Sequence, residues 1–517
     1  MTVVSTRDPS VVASRVTPEK VQVQQMKHVV IIGGGVSGLG AAFKIKRAAD
    51  EGRDVCFTLV EKDPRVGGKL MSEKVDGFII DGGCDAFIAQ KPAVMRVAKL
   101  AGFDSDRLPS DERRKKTLIL KKGHLYEMPD GVMQFAPTKF WPFATTGLFS
   151  LRGKIRAGME LFIPKKKVPE GELNDETLES LVVRRMGREI LDRLAEPLVG
   201  GVHASDPALM SLAATFPNLL DMEQKYGCLI KGFLAQRRAA ERMRKEHPSD
   251  PKNPRTFFNS FVNGMQELPD GMADAAGRDH IRTGVGAARI ERTPSGWRVH
   301  LTDGEVLDAD AVIIATEGWA ASDLTATVDS ELSDLISTIP HSSSATVSLA
   351  FDTDDLGFSL DAFGVLCPAS EGRSLMAATY SSTKWPDRAP KGKALMRGFV
   401  GGPHNQAIME KSDDELIRIT VAEMRAILGL KVEPAFARVY RWVNGMPQYT
   451  MGHLDRVAAI EHRVSMIPTF GVGGGSYRGV GVANCIESGE AAARKVLAEL
   501  GFPAMSEDTA PPASRAY

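Results

Sequence analysis

Between His28 and Ile32 the chain reads HVVII, an unbroken apolar run of the kind that a strand buried on both faces requires. Gly33-Gly34-Gly35-Val36-Ser37-Gly38 follows directly, and Leu39, Ala42, Phe43 and Lys46 then recur at helical spacing. A second apolar run, Val55–Val60, ends at Glu61 and completes a βαβ unit. Residues 93–254 change character: Leu, Met, Arg and Glu dominate, which predicts mostly helix, including a solvated helix at Arg237–Arg244 before a polar, proline-rich loop at His247–Pro254. Strand patterns return at Ile281–Ile290 and Trp297–Leu301, with a Thr302-Asp303-Gly304 turn, and a buried strand follows at Ala311–Ala315. The runs ATVSLAF, AFGVLCP and ALMRGFV, between 345 and 400, suggest an antiparallel sheet. A strand at Thr469–Val472, a glycine-rich turn at Gly473–Gly481 and a helix from about Asn484 to Leu500 close the pattern.

Composition narrows the classes. The 517 residues allow about three domains, and 43% hydrophobic with 25% charged residues excludes a collagen-like, mostly disordered or polytopic membrane chain. Lys+Arg 65 balances Asp+Glu 65, which argues against a nucleic-acid partner. Cys56, Cys84, Cys228, Cys367 and Cys485 form no CxxC pair and read as reduced thiols of an intracellular protein. The ten histidines show no HExxH spacing, so no metal site is expected. No apolar run reaches the ~20 residues that a spanning helix needs, and residues 1–25 carry no apolar leader core, so a disordered extension and a cytoplasmic protein are expected.

The GxGxxG between a buried strand and a helix carries specific chemistry. Gly33 permits the tight turn, Gly35 lets the backbone approach a pyrophosphate, and Gly38 lets helix and strand pack closely. The helix N-terminus offers N–H groups to phosphate, and Glu61 is placed to accept hydrogen bonds from ribose hydroxyls. Arg65-Val66-Gly67-Gly68-Lys69 adds a second glycine pair that would pass along the pyrophosphate and ribityl chain, with Arg65 or Lys69 opposing negative charge. This segment resembles the RxGGR/K of amine-oxidase and phytoene-desaturase flavoenzymes and selects FAD over NAD.

Longer blocks are more specific. GGGSYRGVGVANCIESGEAAA (473–493), EPLVGGVHASDPALMSLAATFPNLLDMEQKYGCLI (196–230), Pro447-Gln448-Tyr449 with Gly452-His453, Phe363–Leu366 and Gly264–Leu268 closely resemble the oxygen-dependent protoporphyrinogen oxidase family, and span roughly residues 26–503 in order. The related coproporphyrinogen III oxidases share nearly all of these blocks. The resemblance implies non-covalent FAD, oxidation of a porphyrinogen by six electrons in two-electron steps, and reoxidation by dioxygen with release of hydrogen peroxide. Protoporphyrinogen IX is the first expectation and coproporphyrinogen III the alternative; another FAD amine oxidase or desaturase is more distant.

The resemblance also implies a fold and a site. The fold is α/β and α+β: a Rossmann-type FAD-binding domain in three pieces (26–92, 255–320 and 466–503), a mainly helical domain at 93–254, a substrate-binding β-sheet domain at 321–465 and a tail at 504–517. Carried over residue by residue, Gly33, Gly34, Gly35, Val36, Ser37, Gly38, Glu61, Lys62, Gly67, Gly68 and Lys69 form the first flavin segment. Gly83, Cys84, Asp85 and Ala86 fall beside the ring, Ala287 at the adenine end, and Gly475, Val480, Gly481 and Val482 in the C-terminal segment. Phe363, Leu366 and Phe399 would clamp the macrocycle and Gly201 would lie near a pyrrole N–H. Lys116 stands where relatives carry a propionate-binding arginine, but lysine lacks the bidentate fork. No catalytic side chain is implied, and His203 and His453 read as structural. The family admits a homodimer.

Residues 135–167 interleave Phe135, Phe140, Trp141, Phe143, Leu148 and Phe149 with Lys139, Arg152, Lys154, Arg156 and Lys165–Lys167. The pattern suits peripheral contact with an anionic membrane, or equally a helix pair roofing the substrate cleft.

Overall fold

The computed structural model describes residues 26–246, 256–354 and 356–505. The expected extension at 1–25, the loop at 247–254 and most of the tail fall outside the described residues.

Five parallel strands, in the order Ile281–Thr283, Val55–Glu61, Lys27–Ile32, Ala311–Ile314 and Phe470–Val472, form the first sheet. Its strands are apolar throughout because both faces are covered. Val29, Ile31, Phe57, Leu59 and Ile313 pack with residues of helices Val36–Asp50, Glu267–Ala276 and Val482–Glu499. Val30, Ile32, Val60, Val312 and Ile314 pack with Trp297, Ile336 and Ile460 on the other face. The two long helices on the first face approach closely: a Cβ on Gly489 would meet Ser37 O at 1.8 Å, and one on Gly40 would meet Ile486 O at 2.8 Å. The predicted turn at 302–304 leads into a third short strand, Val306–Ala309, of the antiparallel sheet Ala287–Thr293, Gly296–Leu301 and Val306–Ala309.

A second sheet has seven strands in the order Phe436–Pro447, His341–Asp352, Lys393–Gly401, Leu375–Tyr380, Gly364–Leu366, Thr117–Lys121 and His124–Glu127. It is antiparallel except where Gly364–Leu366 runs parallel to Thr117–Lys121. Two of its strands thus come from the segment expected to be mainly helical. Leu118 and Leu120 turn to one core and Ile119 to the other, and the distant strand at 364–366 supplies the edge on which they pair. Val347, Leu349, Val365, Ala378 and Val400 pack on one face with Leu416, Val421 and Met424 of helix Asp413–Leu428. The opposite face meets the Gly82–Gly83 loop through Thr346 and Arg397 and the helical unit through Ile119 and Leu366.

That unit is built from helices between Leu178 and Glu246 around Leu181, Leu194, Leu212, Leu219 and Phe233. A π-helical turn at Leu191–Ala195 precedes the helix Glu196–His203. Pro197 cannot donate a backbone hydrogen bond, which accounts for the widened turn just before it.

Candidate functional site

The first strand ends at Gly33, whose φ of 107° and 2.9 Å Cβ approach to Ala315 O exclude a side chain. A Cβ on Gly38 would stand 1.8 Å from Gly33 O, so this glycine permits the close packing expected of it. Gly35 differs: its φ is ordinary and nothing lies within 4 Å of the Cβ direction. It caps helix Val36–Asp50, which has neither a side-chain cap nor an acid in its first turn. Helix Val482–Glu499 likewise begins uncapped at Gly481 with no acid in its first turn. Open space and two uncapped N-termini are the geometry that a dinucleotide pyrophosphate requires.

Glu61 closes the second strand beside the first glycine loop. Its Oε2 accepts Gly34 N–H at 2.6 Å and its Oε1 accepts Asp63 N–H at 2.9 Å, leaving lone pairs for hydroxyl donors. Val285 N–H bonds Glu61 O at 3.0 Å and Gly284 N–H bonds Asp63 O at 2.9 Å, which brings Ala287 to the same end. Lys62 Nζ lies 5.5 Å from the Trp319 ring centre, a neighbour that the sequence did not single out.

The second glycine pair docks directly on the first loop. Gly67 N–H donates to Gly34 O at 2.8 Å and Gly68 approaches Gly35. Arg65 is tied to the turn itself: its guanidinium donates to Gly68 O at 2.6 Å, Leu70 O at 3.0 Å, Val66 O and Gln266, so it staples the turn from inside. Lys69 pairs with Glu317 at 2.7 Å.

Across the gap, Gly475 and the 479–481 turn are held by Tyr449, whose hydroxyl donates to Gly475 O at 2.6 Å and accepts Gly479 N–H at 2.7 Å. Tyr449 stacks on His453 at 3.9 Å, and His453 Nε2 bonds Tyr477 O at 2.8 Å. Burial pushes the His453 imidazole down to about 4, as burial and the Lys91 charge push His203 down to about 4. Both rings are neutral elements of the frame. Cys84 and Cys485 flank the gap, and burial raises each thiol to about 11. The Gly83 and Cys84 backbone sits on Lys69 O, while the Asp85 carboxylate is held by Lys384, Trp385 and Arg397.

The predicted substrate residues divide. Phe399, Ala377 and Leu366 lie directly opposite one another across three strands, in one row with Thr346 and Ile119, and so share a face. Phe399, Leu366 and Phe363 are half-buried. Gly201, on the helix lying across this face, would place a Cβ 3.6 Å from Leu366 Cδ2. Lys116 is exposed, its ammonium 3.0 Å from Asp361, although its carbonyl accepts Phe363 N–H at 2.8 Å. The sequence missed Lys91, whose ammonium bonds Asn484 Oδ1 at 2.5 Å and shifts His203, linking flavin helix to helical roof. It sits two residues before the helix Ala93–Ala101 with no motif around it, so only the fold exposes it.

Residues 36–497 match the family of flavin containing amine oxidoreductases. The chain belongs to that family. It is an oxidoreductase whose cofactor is FAD, and the glycine loops, Glu61 and open Gly35 are a fitting cradle for it. It is 33% identical to a coproporphyrinogen III oxidase of Bacillus subtilis over 92% of this chain and 98% of that one. It is 28% identical to protoporphyrinogen oxidase 2 of Arabidopsis thaliana, covering 94% and 96%. The crystal structure of a provisionally named protoporphyrinogen oxidase from Exiguobacterium sp. 255-15 superimposes with a TM-score of 0.79 at 28% identity, covering 92% and 99%. The family resemblance drawn from the sequence blocks, and the α/β and α+β fold, therefore hold.

Proposed function

We propose that this flavoprotein oxidises a porphyrinogen of haem biosynthesis to its porphyrin, with coproporphyrinogen III as substrate and dioxygen as acceptor. The observation that carries the reading is the near full-length likeness to a relative named coproporphyrinogen III oxidase, at higher identity than the plant relative named for protoporphyrinogen. This reverses the order in which the sequence blocks alone place the two substrates. Bound FAD supplies the hydride acceptor that dioxygen regenerates.

The protein's own part is positioning. The flat row of Phe399, Ala377 and Leu366 offers an apolar wall to a macrocycle, and the Gly201 helix borders that wall at Leu366. Gain of aromaticity makes the overall oxidation downhill, and each hydride removed from a bridge carbon is matched by one proton released from a pyrrole N–H. Side-by-side kcat/KM values for the two porphyrinogens test the choice: preference for coproporphyrinogen III supports it, and preference for protoporphyrinogen IX restores the other substrate.

A peripheral membrane contact is proposed with a redrawn surface. Phe135, Phe143, Leu148 and Phe149 are buried in the helical core and drop out of the contact. Phe140 (75% exposed), Trp141 (73%), Leu151 (74%) and Phe162 (85%) project near Lys139, Arg152 and Lys154. Among the described residues no helix is long and apolar enough to cross a membrane. Cosedimentation with vesicles containing anionic lipid, weakened by Phe162→Asp, is the expected result; equal recovery in the supernatant with and without vesicles contradicts it.

A further inference from the structure

The loop Asp81–Ala86 is gripped from the seven-stranded sheet. Thr346 Oγ1 and Trp442 Nε1 donate to Gly82 O at 2.6 and 3.2 Å, and Arg397 Nη1 donates to Asp81 O at 2.8 Å and Gly83 O at 2.7 Å. Three buried cations meet two carboxylates there. Arg388 pairs with Asp81 at 3.2 Å and spends its remaining donors on Ser260, Phe261 and Val262. Lys384, at 3.0 Å, and Arg397, at 3.3 Å, share Asp85, to which Trp385 Nε1 also donates at 3.1 Å. Among the described residues no other carboxylate pairs with Lys384 or Arg397. Burial acts to raise the Asp85 carboxyl, but the two cations and the Trp385 and Lys384 hydrogen bonds outweigh it and hold it well below the carboxylate range. One positive charge is thus left over in a buried place.

An uncompensated buried charge is costly unless something electron-rich answers it. The nearest thiol, Cys84, is neutral, raised to about 11 by burial and Asp85. Lys384 also lies over the rings of Phe258 and Trp385, and Arg397 over Phe399 at 4.8 Å, which eases but does not cancel the charge. We propose that Lys384 and Arg397, sharing the single carboxylate of Asp85, present a net positive charge to the ring end of the bound flavin and raise its reduction potential, with Asp85 setting how much of that charge is felt. A positive charge favours the electron-rich reduced ring over the neutral oxidised one. The inference rests on placing the ring beside Gly83–Ala86 and is independent of which substrate is oxidised. These are positioning residues: none of them transfers a proton or touches the reacting atoms.

The test is the flavin midpoint potential of the holoprotein, measured by dye-coupled anaerobic reduction without any porphyrinogen. Lys384→Met should lower the potential and Asp85→Asn should raise it. Each should change the oxidised-to-reduced equilibrium by about tenfold, ~30 mV for a two-electron couple. Lys384→Arg should restore the parent value. A merely structural role would not move the two variants in opposite directions. If Lys384→Met fails to retain FAD, Asp85→Asn decides alone: a rise supports the proposal, and no change or a fall overturns it. Potentials that move together or stay fixed also overturn it. Because no porphyrinogen is present, failure of the porphyrinogen reading leaves this result intact.

Discussion

Gly201 faces Leu366 across the cleft, close enough that a Cβ on the glycine would touch the leucine Cδ2 at 3.6 Å. The pair joins the helical roof to the row that also holds Ala377 and Phe399. The longer side chain of Gly201→Leu would extend past Leu366 Cδ2 and cover part of the row. The expected outcome is a fall in kcat/KM of about tenfold or more, the equivalent of ~1.4 kcal/mol, with FAD content and Tm unchanged. Leu366→Ala should also lower kcat/KM. Because Leu366 is only half-buried, its stability loss should fall below the ~2–5 kcal/mol of a full core truncation. Unchanged kinetics in both variants would assign the row to core packing.

Gly35 and Gly38 separate cofactor binding from folding. Nothing in the protein meets a Cβ at Gly35, whereas one at Gly38 runs into Gly33 O. Gly35→Val should therefore yield a folded, colourless protein that fails to take up FAD, and Gly38→Val should not accumulate in soluble form. Absorbance after reconstitution, with circular dichroism of the apoprotein, reads both. A yellow Gly35→Val protein would show that the pyrophosphate lies elsewhere.

The flavin cradle was legible because its constraints are local. A βαβ unit places Gly33–Gly38 and Glu61 by sequence spacing alone, and the second glycine pair follows within a few residues. The role of Arg65 was not legible, since its acceptors Gly68 and Leu70 become acceptors only once the turn has closed. The proposed substrate wall is half legible. Phe363, Leu366 and Phe399 came from a family resemblance, but their alignment on one face depends on register between strands far apart in sequence. The strands at 375–380 and 436–447 build the same sheet but lie outside the alternating runs that mark other strands of it in the sequence. The buried cluster of Asp85, Lys384 and Arg397 joins segments about 300 residues apart and left no sequence signal.

Lys116 reaches solvent beside Asp361, and that neighbour's hydrogen bond raises its pKa. Any help it gives a substrate carboxylate acts through an exposed, screened charge. Lys116→Ala should raise KM at low ionic strength, and the difference should vanish at about 0.15 M salt, where the Debye length is ~8 Å. A KM increase that persists at high salt would point instead to a desolvated contact.

His453 should make the fold acid-sensitive. Its folded pKa, about 4, lies below the ordinary value of 6.5, so the unfolded chain binds the extra proton first. The stability that it contributes is complete above about pH 6.5 and is lost progressively as pH falls towards about 4. His453→Phe keeps a ring against Tyr449 but abolishes this titration. The variant should be less stable at pH 7.5 by ~1–3 kcal/mol through the lost bond to Tyr477 O. Its Tm should fall less steeply between pH 6.5 and 4 than that of the parent. Parallel Tm profiles would remove His453 from the acid response; His203 shares the same direction of shift.

We propose that a porphyrinogen lying on the Leu366–Phe399 row reduces the flavin held between Gly33–Gly38 and Gly475–Val482. Anaerobic rapid mixing of holoprotein with coproporphyrinogen III tests it most directly. The yellow flavin absorbance should bleach at a rate that saturates with substrate, and return on admitting oxygen as porphyrin fluorescence and hydrogen peroxide appear. A flavin that stays oxidised with both coproporphyrinogen III and protoporphyrinogen IX, in protein carrying its full complement of FAD, would contradict it.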